Sequence, residues 1–235
     1  MNLLLFTEQD RTESGLLRIT GRRLQHLLQV HGKAPGEQLK VGELDGLMGS
    51  ARIVSIDENA ALLDPTVGEP PPVKLPLTLL VALPRPKMLR RILRAVAEFG
   101  VGELHLINSY RVEKSFWQTP VLIEQNRYEY LLQGLEQSRD TILPEVHCHR
   151  RFKPFVEDSL PGLLQGRRGL LAHPGDYPPC PRDIGEPTLL AIGPEGGFIP
   201  YEVEKLEAAG CKTVSLGPRI LRVENAVTAL LGRLF

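Results

Sequence analysis

The sequence predicts an α/β protein in which a small β-rich domain, residues 1–70, precedes a larger domain with a parallel sheet, residues 73–235. Three observations predict this fold. Short strand-like runs crowd the first domain, a proline-rich segment at 68–72 interrupts the chain, and apolar runs alternate with amphipathic segments after it. Alternating strands and helices are typical of a parallel sheet with helices on its faces.

The N-terminal domain is predicted to be a small barrel of short strands. Asp45-Gly46 separates two of the longer runs and is a strong hairpin signal. Residues 22–30 are interpreted as a helix with one apolar side. Residues 68–72 are predicted to be a linker, because proline holds the chain extended and has no N–H to donate to a sheet. The predicted strands are residues 16–19, 38–44, 47–56 and 60–63.

The C-terminal domain is predicted to alternate strands with helices. The continuous apolar run 77–83 is typical of a strand buried on both faces. Residues 177–187 are interpreted as a proline-rich surface excursion. The further predicted strands are residues 104–107, 146–149, 169–172, 189–192 and 213–216. The predicted helices are residues 88–99, 120–138, 155–164, 200–209 and 224–235.

The composition is that of an ordinary globular protein, with 42% hydrophobic and 24% charged residues. No apolar run approaches the ~20 residues that cross a bilayer, and no basic region precedes Glu8 and Asp10, so neither a membrane segment nor a signal peptide is predicted. Cys148, Cys180 and Cys211 are scattered and odd in number, which fits a reducing compartment. We therefore expect a cytoplasmic protein.

The formal net charge is zero, so the chain as a whole shows no preference for nucleic acid. Basic residues nevertheless occur in local groups. The groups are Arg18, Arg22 and Arg23; Arg85, Lys87, Arg90, Arg91 and Arg94; and Arg150, Arg151 and Lys153. Such a group is either a phosphate-binding surface or one solvated helix face, and the sequence leaves both interpretations open.

Three predicted strands end in glycine-proline loops, at residues 172–175, 193–197 and 217–222. In an open parallel sheet, ligands bind outside the carboxyl ends of the strands, and glycine lets backbone amides approach a ligand closely. Alone, each loop is interpreted as a tight turn. Neither a GxGxxG nor a GxxxxGK[ST] pattern occurs, which argues against a Rossmann dinucleotide site and a P-loop. Together the three loops predict one shared ligand site.

Two of these loops resemble a known family. Gly193-Pro194-Glu195-Gly196-Gly197, followed about twenty residues later by residues 216–222, is similar to the motifs of the RsmE family of SPOUT RNA methyltransferases. The sequence Glu-Gln-Ser-Arg at 136–139 and the two-domain plan also resemble that family. The specific motifs lie mostly in residues 130–235.

The resemblance implies a fold and an assembly. The C-terminal domain would be a SPOUT-type parallel sheet whose C-terminal segment forms a trefoil knot, a rare exception to the rule that chains do not thread loops. The N-terminal barrel would be a PUA-like RNA-binding domain. The protein would work as a homodimer.

The resemblance also implies an activity, which is S-adenosylmethionine-dependent methylation of N3 of a uridine in the 16S rRNA of the small ribosomal subunit. The three glycine-proline loops would surround the cofactor. The implied cofactor contacts are Leu171, Ala172, His173, Gly193, Pro194, Glu195, Gly196, Gly197, Leu216, Gly217, Ile220, Leu221 and Arg222.

The catalytic hypotheses follow from the chemistry. A methyl sulfonium is an activated donor, so the protein mainly aligns the nucleophile, while the proton on uridine N3 must leave with help from a base or an oxyanion stabiliser. Arg219 and Arg222 are predicted to hold RNA phosphate or the uracil oxygens. Glu224 either accepts the proton or only favours the start of a helix. The residues predicted to bind RNA are Arg18, Arg22, Arg23, Arg85, Lys87, Arg111 and Lys114.

Two alternatives remain, an RNA-binding or ribosome-assembly module of the same fold without catalysis, and a SPOUT methyltransferase that acts on another RNA. The chain has Val223 and Asn225 where the family usually has threonine, which leaves room for the first. The intact glycine loops favour an enzyme.

Four further side chains remain to be interpreted. His147 and His149 alternate on a predicted strand and so share a face, but no third ligand is evident and no metal site is predicted. Cys148 between them is predicted to be in the core. Trp117 either stacks on an exposed base or covers the core or a dimer contact.

Overall fold

The computed structural model describes residues 2–29 and 34–235. The described chain divides into two compact units. The first contains Met1–Val73 and Leu132–Leu143, and the second contains Lys74–Leu131 and Pro144–Phe235. Val30, the last residue of the predicted helix 22–30, lies outside the described residues.

Strands and helices follow the alternation that the sequence predicts. The strands of the first unit are β1 (Leu4–Phe6), β2 (Leu17–Ile19), β3 (Gln38–Glu43), β4 (Met48–Ile56) and β5 (Ala61–Glu69). The strands of the second unit are β6 (Leu75–Ala82), β7 (Val101–Ile107), β8 (Glu145–His149), β9 (Arg168–Ala172), β10 (Thr188–Ile192) and β11 (Cys211–Val214). The helices are α1 (Gly21–Gln29), α2 (Pro86–Glu98), α3 (Glu124–Ser138), α4 (Phe152–Pro154), α5 (Leu160–Leu164), α6 (Pro200–Ala208) and α7 (Val223–Leu234).

Within residues 2–29 and 34–73, one mixed sheet forms in the order β1-β3-β4-β5-β2. Only β1 and β3 run parallel among these neighbours. Leu17 and Ile19 are buried while Arg18 between them is exposed, which is the period of two expected of a strand with one buried face. The sheet curls around a core that includes Phe6, Ile53 and Leu24 of α1, and this fits the predicted barrel-like domain.

The predicted hairpin at Asp45-Gly46 is confirmed. β3 and β4 pair antiparallel, and the N–H of Glu43 donates to the carbonyl of Leu47 at 2.9 Å. Asp45 has φ 57°, a left-handed conformation that aspartate tolerates better than most residues. Its carboxylate also accepts a hydrogen bond from the N–H of Leu143 at 2.8 Å, which holds the 132–143 segment against this turn.

The predicted start of the linker is wrong by two residues, because β5 continues through Gly68 to Glu69. Pro65 lies inside this strand, opposite Ala51. β2 pairs with β5 only as far as Leu63, so one side of β5 is an edge beyond that point. An edge tolerates proline, since no neighbour there requires its missing N–H.

The second unit, which is described throughout, contains a parallel sheet in the order β11-β9-β10-β6-β7-β8. Every neighbouring pair is parallel, which confirms the predicted α/β class. The consecutive residues of β6 from Leu77 onward are buried, as a strand covered on both faces requires. α2 buries Leu89, Ile92 and Leu93 on one side and packs against α7.

Two helices begin more than two residues away from their predicted start. The helix predicted over 120–138 begins at Glu124, because Ile123 adopts an extended ψ of 133° and residues Pro120–Leu122 form a separate 3-10 turn. The helix predicted over 155–164 begins at Phe152 and passes through a π-helical turn at Phe155–Ser159.

The segment 177–187 is more than a surface excursion. Cys180 within it is buried, and its N–H donates to the carbonyl of Ser215 at 2.8 Å. The N–H of Ile184 donates to the carbonyl of Leu234 in α7 at 2.7 Å. The strand predicted over 213–216 ends at Val214, and Ser215 beyond it forms a parallel bridge with Pro179. Both contacts attach the segment to the C-terminal part of the chain.

The described helices contain none that is both long enough and apolar enough to cross a membrane.

Candidate active site

A cleft that is open to solvent lies at the carboxyl ends of β9, β10 and β11. Its walls come from the loops that follow these strands and from one side of α7. Small-molecule sites in proteins with an open parallel sheet typically occur at this edge of the sheet.

Most of the predicted cofactor contacts line this cleft. They are Ala172, His173, Gly193, Pro194, Glu195, Gly197, Leu216, Gly217, Ile220 and Leu221, joined by Arg219 from the predicted catalytic set. Three others lie elsewhere. Leu171 is buried inside β9, Gly196 is exposed beside Arg111, and Arg222 is exposed as the residue that precedes α7. The three predicted loops therefore do meet at one site.

Six lining residues were not predicted, and they are Pro174, Ile192, Ser215, Val223, Ala226 and Leu230. Val223, Ala226 and Leu230 stand on one side of α7 at the i, i+3, i+7 spacing of a helix face. That spacing is visible in the sequence. The sequence does not show which surface this side of the helix contacts, because that depends on how α7 packs.

The backbone of the loop after β10 favours glycine at two positions. Gly197 has φ 72°, and a Cβ there would lie 3.4 Å from Cε1 of His173. A Cβ on Gly193 would lie 3.0 Å from the backbone nitrogen of Phe198. The N–H of Gly197 donates to the carbonyl of Pro194 at 2.8 Å and closes the turn. Larger residues would therefore change the path of the loop.

Glu202 of α6 supports this loop, and sequence reasoning missed it. Its buried carboxylate accepts hydrogen bonds from Oγ of Ser109 at 3.0 Å, from the N–H of Tyr110 at 2.8 Å and from the N–H of Ile199 at 3.1 Å. Arg111, which follows Tyr110 in the chain, donates a hydrogen bond to the carbonyl of Gly196. The loop after β7 is thereby joined to the loop after β10.

A second contact fixes the outer part of the same loop. The exposed carboxylate of Glu195 accepts a hydrogen bond from the N–H of Arg85, at the start of α2, at 3.0 Å. Glu195 therefore has a structural contact as well as a position in the cleft wall.

His173 carries an unsatisfied polar atom. Its Nδ1 is buried and has no hydrogen-bond partner among the described residues. Burial lowers the pKa of His173 below its usual 6.5, and the charge of Arg111 lowers it further. The ring is therefore neutral near pH 7 and can donate a hydrogen bond to a ligand or accept one from it.

The predicted catalytic residues separate in the structure. Arg219 lines the cleft and is exposed, and Arg222 is also exposed. Glu224 is buried and does not line the cleft. Its Oε1 lies 3.4 Å from Nη1 of Arg91, and its Oε2 has no partner among the described residues.

The residues predicted to bind RNA also differ in their surroundings. Arg22 and Arg23 are both engaged within the first unit, by Glu136 and by Asp10 respectively. Arg111 is exposed but bonded to Gly196. The exposed remainder are Arg18, Arg85, Lys87 and Lys114.

The structure decides how two side chains outside the cleft are to be interpreted. Cys148 is exposed rather than in the core, because β8 is an edge strand, and it accepts a hydrogen bond from Nη1 of Arg127 at 3.1 Å. Trp117 is buried, and its Nε1 donates to Oδ1 of Asn108 at 2.8 Å. Trp117 thus belongs to the core.

The histidine prediction needs a correction. Beside His147 and His149, the neighbouring strand β7 supplies Glu103 and His105, so further ligand groups are present. Burial, with the charges of His105 and His147, lowers the pKa of His149 to about 4.

Comparison with known proteins places the chain in a family. Residues 71–234 match the family described as RNA methyltransferase domain. Ribosomal RNA small subunit methyltransferase E of Treponema pallidum is 30% identical and aligns with 97% of this chain and 88% of its own length. The protein of the same name from Synechocystis is also 30% identical, over 92% of this chain and 71% of its own length.

Solved structures share the fold. Ribosomal RNA small subunit methyltransferase E from Neisseria gonorrhoeae, bound to S-adenosylmethionine, superposes with a TM-score of 0.72 at 20% identity, over 98% of this chain and 95% of its own. A Legionella pneumophila structure in complex with the same cofactor has a TM-score of 0.76 at 22% identity, over 98% and 95%. With glycine loops, parallel sheet and relatives in agreement, this chain belongs to the ribosomal RNA small subunit methyltransferase E family of RNA methyltransferases.

Proposed function

We propose that this protein transfers a methyl group from S-adenosylmethionine to N3 of a uridine in the 16S rRNA of the small ribosomal subunit. The observation that carries the proposal is the cleft formed by three glycine-containing loops at the carboxyl ends of β9, β10 and β11 in a chain of this family. Relatives are named for small-subunit ribosomal RNA. The uridine and its N3 are the target that the RsmE resemblance implies.

The residues of the cleft fit S-adenosylmethionine. Ile192, Leu216 and Leu230 offer apolar surface for a purine ring, and Gly193 and Gly197 form part of the cleft wall. The buried Nδ1 of His173 is an additional polar atom that requires a partner. When bound, the cofactor supplies a methyl group already activated by its sulfonium.

The remaining chemistry belongs to the chain. Methyl transfer requires the uridine N3 to lie in line with the methyl carbon, and loss of the N3 proton places negative charge on the uracil ring. Arg219 stands in the wall of the cleft with an exposed side chain, so it is placed to hold the uracil oxygens or the adjoining phosphate. α7 begins nearby at Val223, and the free N–H groups of a helix start also favour negative charge.

Arg222 and Glu224 receive different parts in this proposal. Arg222 is exposed immediately before α7, and its proposed partner is an RNA phosphate. Glu224 faces Arg91 rather than the cleft, so its proposed part is to hold the start of α7 against α2. In this proposal the proton leaves to solvent, and Glu224 acts as a positioning residue.

The proposed RNA-binding residues fall into two groups. Arg85, Lys87, Arg111 and Lys114 belong to the second unit, and Arg18 belongs to the first, for which we propose the PUA-like RNA-binding role over residues 1–70. Exposed cations of this kind neutralise phosphates and make binding depend on salt. Arg22 and Arg23 are held by carboxylates, so their contribution to RNA binding is proposed to be indirect.

The SPOUT-type trefoil knot is the finer part of the fold that we propose for residues 73–235. The connection 173–187 between β9 and β10 bonds to Ser215 on one side and to Leu234 on the other. A C-terminal segment that passes through this connection would make contacts of that kind. A crystal structure in which 223–235 can be withdrawn without crossing 173–187 would remove the knot from the proposal.

A homodimer in the cytoplasm completes the proposal. Tyr110 and Ile123 are large hydrophobic side chains with 79% and 57% of their surface exposed, and a second copy of the chain would cover such residues. Cys148, Cys180 and Cys211 are free thiols, as in a reducing compartment. Light scattering and cell fractionation test the two statements separately.

The proposal is tested by methyl transfer from labelled S-adenosylmethionine into RNA from a strain that lacks the gene. Small subunits, large subunits and transfer RNA are assayed separately, and the labelled nucleoside is then identified. Label in small-subunit RNA as 3-methyluridine is the expected result. Label in another RNA would overturn the substrate, and cofactor binding without label in any RNA would favour the non-catalytic RNA-binding module.

A further inference from the structure

Two neighbouring strands carry glutamate and histidine on one face of the sheet. β7 and β8 are parallel, with Glu103 opposite Glu145 and His105 opposite His147. Side chains two residues apart on a strand point to the same face, and residues opposite each other in register do so too. These four polar side chains therefore form a block at the edge of the sheet, and none of them lines the cleft.

The ligand-type atoms of this block lie close together. Oε1 of Glu103 is 2.9 Å from Nε2 of His105 and 3.8 Å from Nε2 of His147. One ligand atom from each of these three residues lies within 4.8 Å of the other two. In a tetrahedral site with bonds of about 2.0–2.1 Å, ligand atoms are about 3.4 Å apart. A metal ion thus requires only small side-chain movements.

We propose that Glu103, His105 and His147 bind one divalent first-row transition-metal ion of the zinc class. Two imidazoles and one carboxylate are an established ligand set for zinc, and imidazole generally favours such ions over calcium or magnesium. Glu145 provides a further carboxylate, because its Oε2 lies 3.3 Å from Nε2 of His147.

Further hydrogen bonds orient the proposed metal ligands. Oγ1 of Thr78, on β6, donates to Oε2 of Glu103 at 2.9 Å and leaves Oε1 to face the histidines. Nδ1 of His105 lies 2.9 Å from Nε2 of His149, whose ring packs 4.4 Å from Phe155. Metal-binding histidines usually donate their other ring N–H to an acceptor, most often a carboxylate, a backbone carbonyl or a water. With a metal on Nε2 of His105, its Nδ1–H would donate to His149.

Charge and exposure favour a cation that enters from solvent. Glu103 and Glu145 place two carboxylates beside the histidines. The side chain of His105 is 6% exposed, but that of His147 is 42% exposed. His105 is therefore a buried ligand and His147 a partly exposed one. A water can complete the coordination on the exposed side.

The experiment is a zinc titration of the untagged, metal-stripped full-length chain, followed by calorimetry and by metal analysis after dialysis. We expect one ion per chain, and the visible absorption of bound Co²⁺ should report low-symmetry coordination. His147→Ala and Glu103→Gln should each weaken zinc binding at least tenfold. Mutation of a residue that only orients a metal ligand already costs about that much affinity. His147→Ala is the decisive variant because its half-exposed side chain lies outside the core.

The controls separate this site from adventitious binding. His26→Ala, in the first unit, and Glu98→Gln, an exposed carboxylate at the end of α2, should leave zinc affinity unchanged. Circular dichroism should show that every variant remains folded. The proposal is overturned when the wild-type chain retains no zinc after dialysis, or when His147→Ala and Glu103→Gln bind zinc as tightly as the wild type.

Discussion

Arg22 of α1 donates two hydrogen bonds to Glu136 at the end of α3, from Nη1 to Oε2 at 3.1 Å and from Nη2 to Oε1 at 2.8 Å. The side chain of Glu136 is 5% exposed, whereas that of Arg22 is 57% exposed. The carbonyl of Glu136 also accepts hydrogen bonds from the N–H groups of Asn2 and Leu3 at 3.0 Å. Glu136, which the family resemblance singled out, thus joins the 132–143 segment to the rest of its unit.

Removing Arg22 should destabilise the protein. Arg22→Ala leaves the buried carboxylate of Glu136 without its paired guanidinium, and because Arg22 is itself largely exposed we expect a loss of about 2 kcal/mol in the free energy of unfolding. Urea denaturation measures this loss. Arg18→Ala, at an exposed position on β2, is the matched control and should change stability by less than about 0.5 kcal/mol. Equal losses in the two variants would contradict the structural part assigned to Arg22.

The pair of Asp10 and Arg23 should make stability depend on acid pH. Burial alone would raise the pKa of Asp10, but hydrogen bonds from Arg23 and Thr7 outweigh it and hold the pKa below its usual 3.8. Because the folded state favours the ionised carboxyl, its contribution is complete above pH 3.8 and is lost as pH falls through the lower folded pKa. Asp10→Asn should therefore cost about 2 kcal/mol near neutral pH.

That difference should shrink in acid. Urea unfolding of the wild type and of Asp10→Asn, followed from about pH 6 to about pH 3, should show the two free energies of unfolding converging. A difference that stays constant over this range would show that Asp10 acts through packing rather than through its charge.

Gly197→Ala should weaken cofactor binding. The left-handed φ of 72° costs alanine about 1–2 kcal/mol, which corresponds to roughly a tenfold loss of affinity where binding depends on this loop conformation. Calorimetry with S-adenosylmethionine measures the effect. Gly232→Ala lies in α7, and beyond the neighbouring helix backbone the added Cβ has no described atom within 4 Å, so it should preserve affinity and slightly raise helix stability.

Arg219→Ala should reduce methyl transfer more than it reduces cofactor affinity. If Arg219 stabilises negative charge on the uracil, its loss should slow transfer by about 100-fold or more. Single-turnover transfer and cofactor titration give the two quantities. Arg182→Ala, an exposed arginine outside the cleft, is the comparison. Loss of cofactor binding with an unchanged transfer rate at saturation would assign Arg219 to the cofactor instead.

Features determined by local chemistry were predictable from the sequence. The turn at Asp45, the helically spaced apolar residues of α2 and the glycine loops after β9, β10 and β11 each depend on residues close together in the chain. Parallel strands bring their carboxyl ends to one edge, so these loops converge without any further information. That is why most of the predicted cofactor contacts line one cleft.

Features set by distant pairing were not predictable. Arg22 and Glu136 are 114 residues apart, so a basic residue that resembles a phosphate contact proves to be one half of an ion pair. His105 and His149 are 44 residues apart and meet because β7 and β8 align in one register. Alternation reveals that His147 and His149 share a face, but only the pairing of strands identifies the residues beside them.

The position of α7 has a consequence for incomplete chains. This helix supplies Val223, Ala226 and Leu230 to the cleft, and Leu234 near its end holds the 173–187 connection. A polypeptide cut short before residue 223 retains the three loops but lacks the surface on which they close. A chain shortened in this way would lack one wall of the cleft, so we expect retention of the ligand to distinguish it from a chain that includes α7.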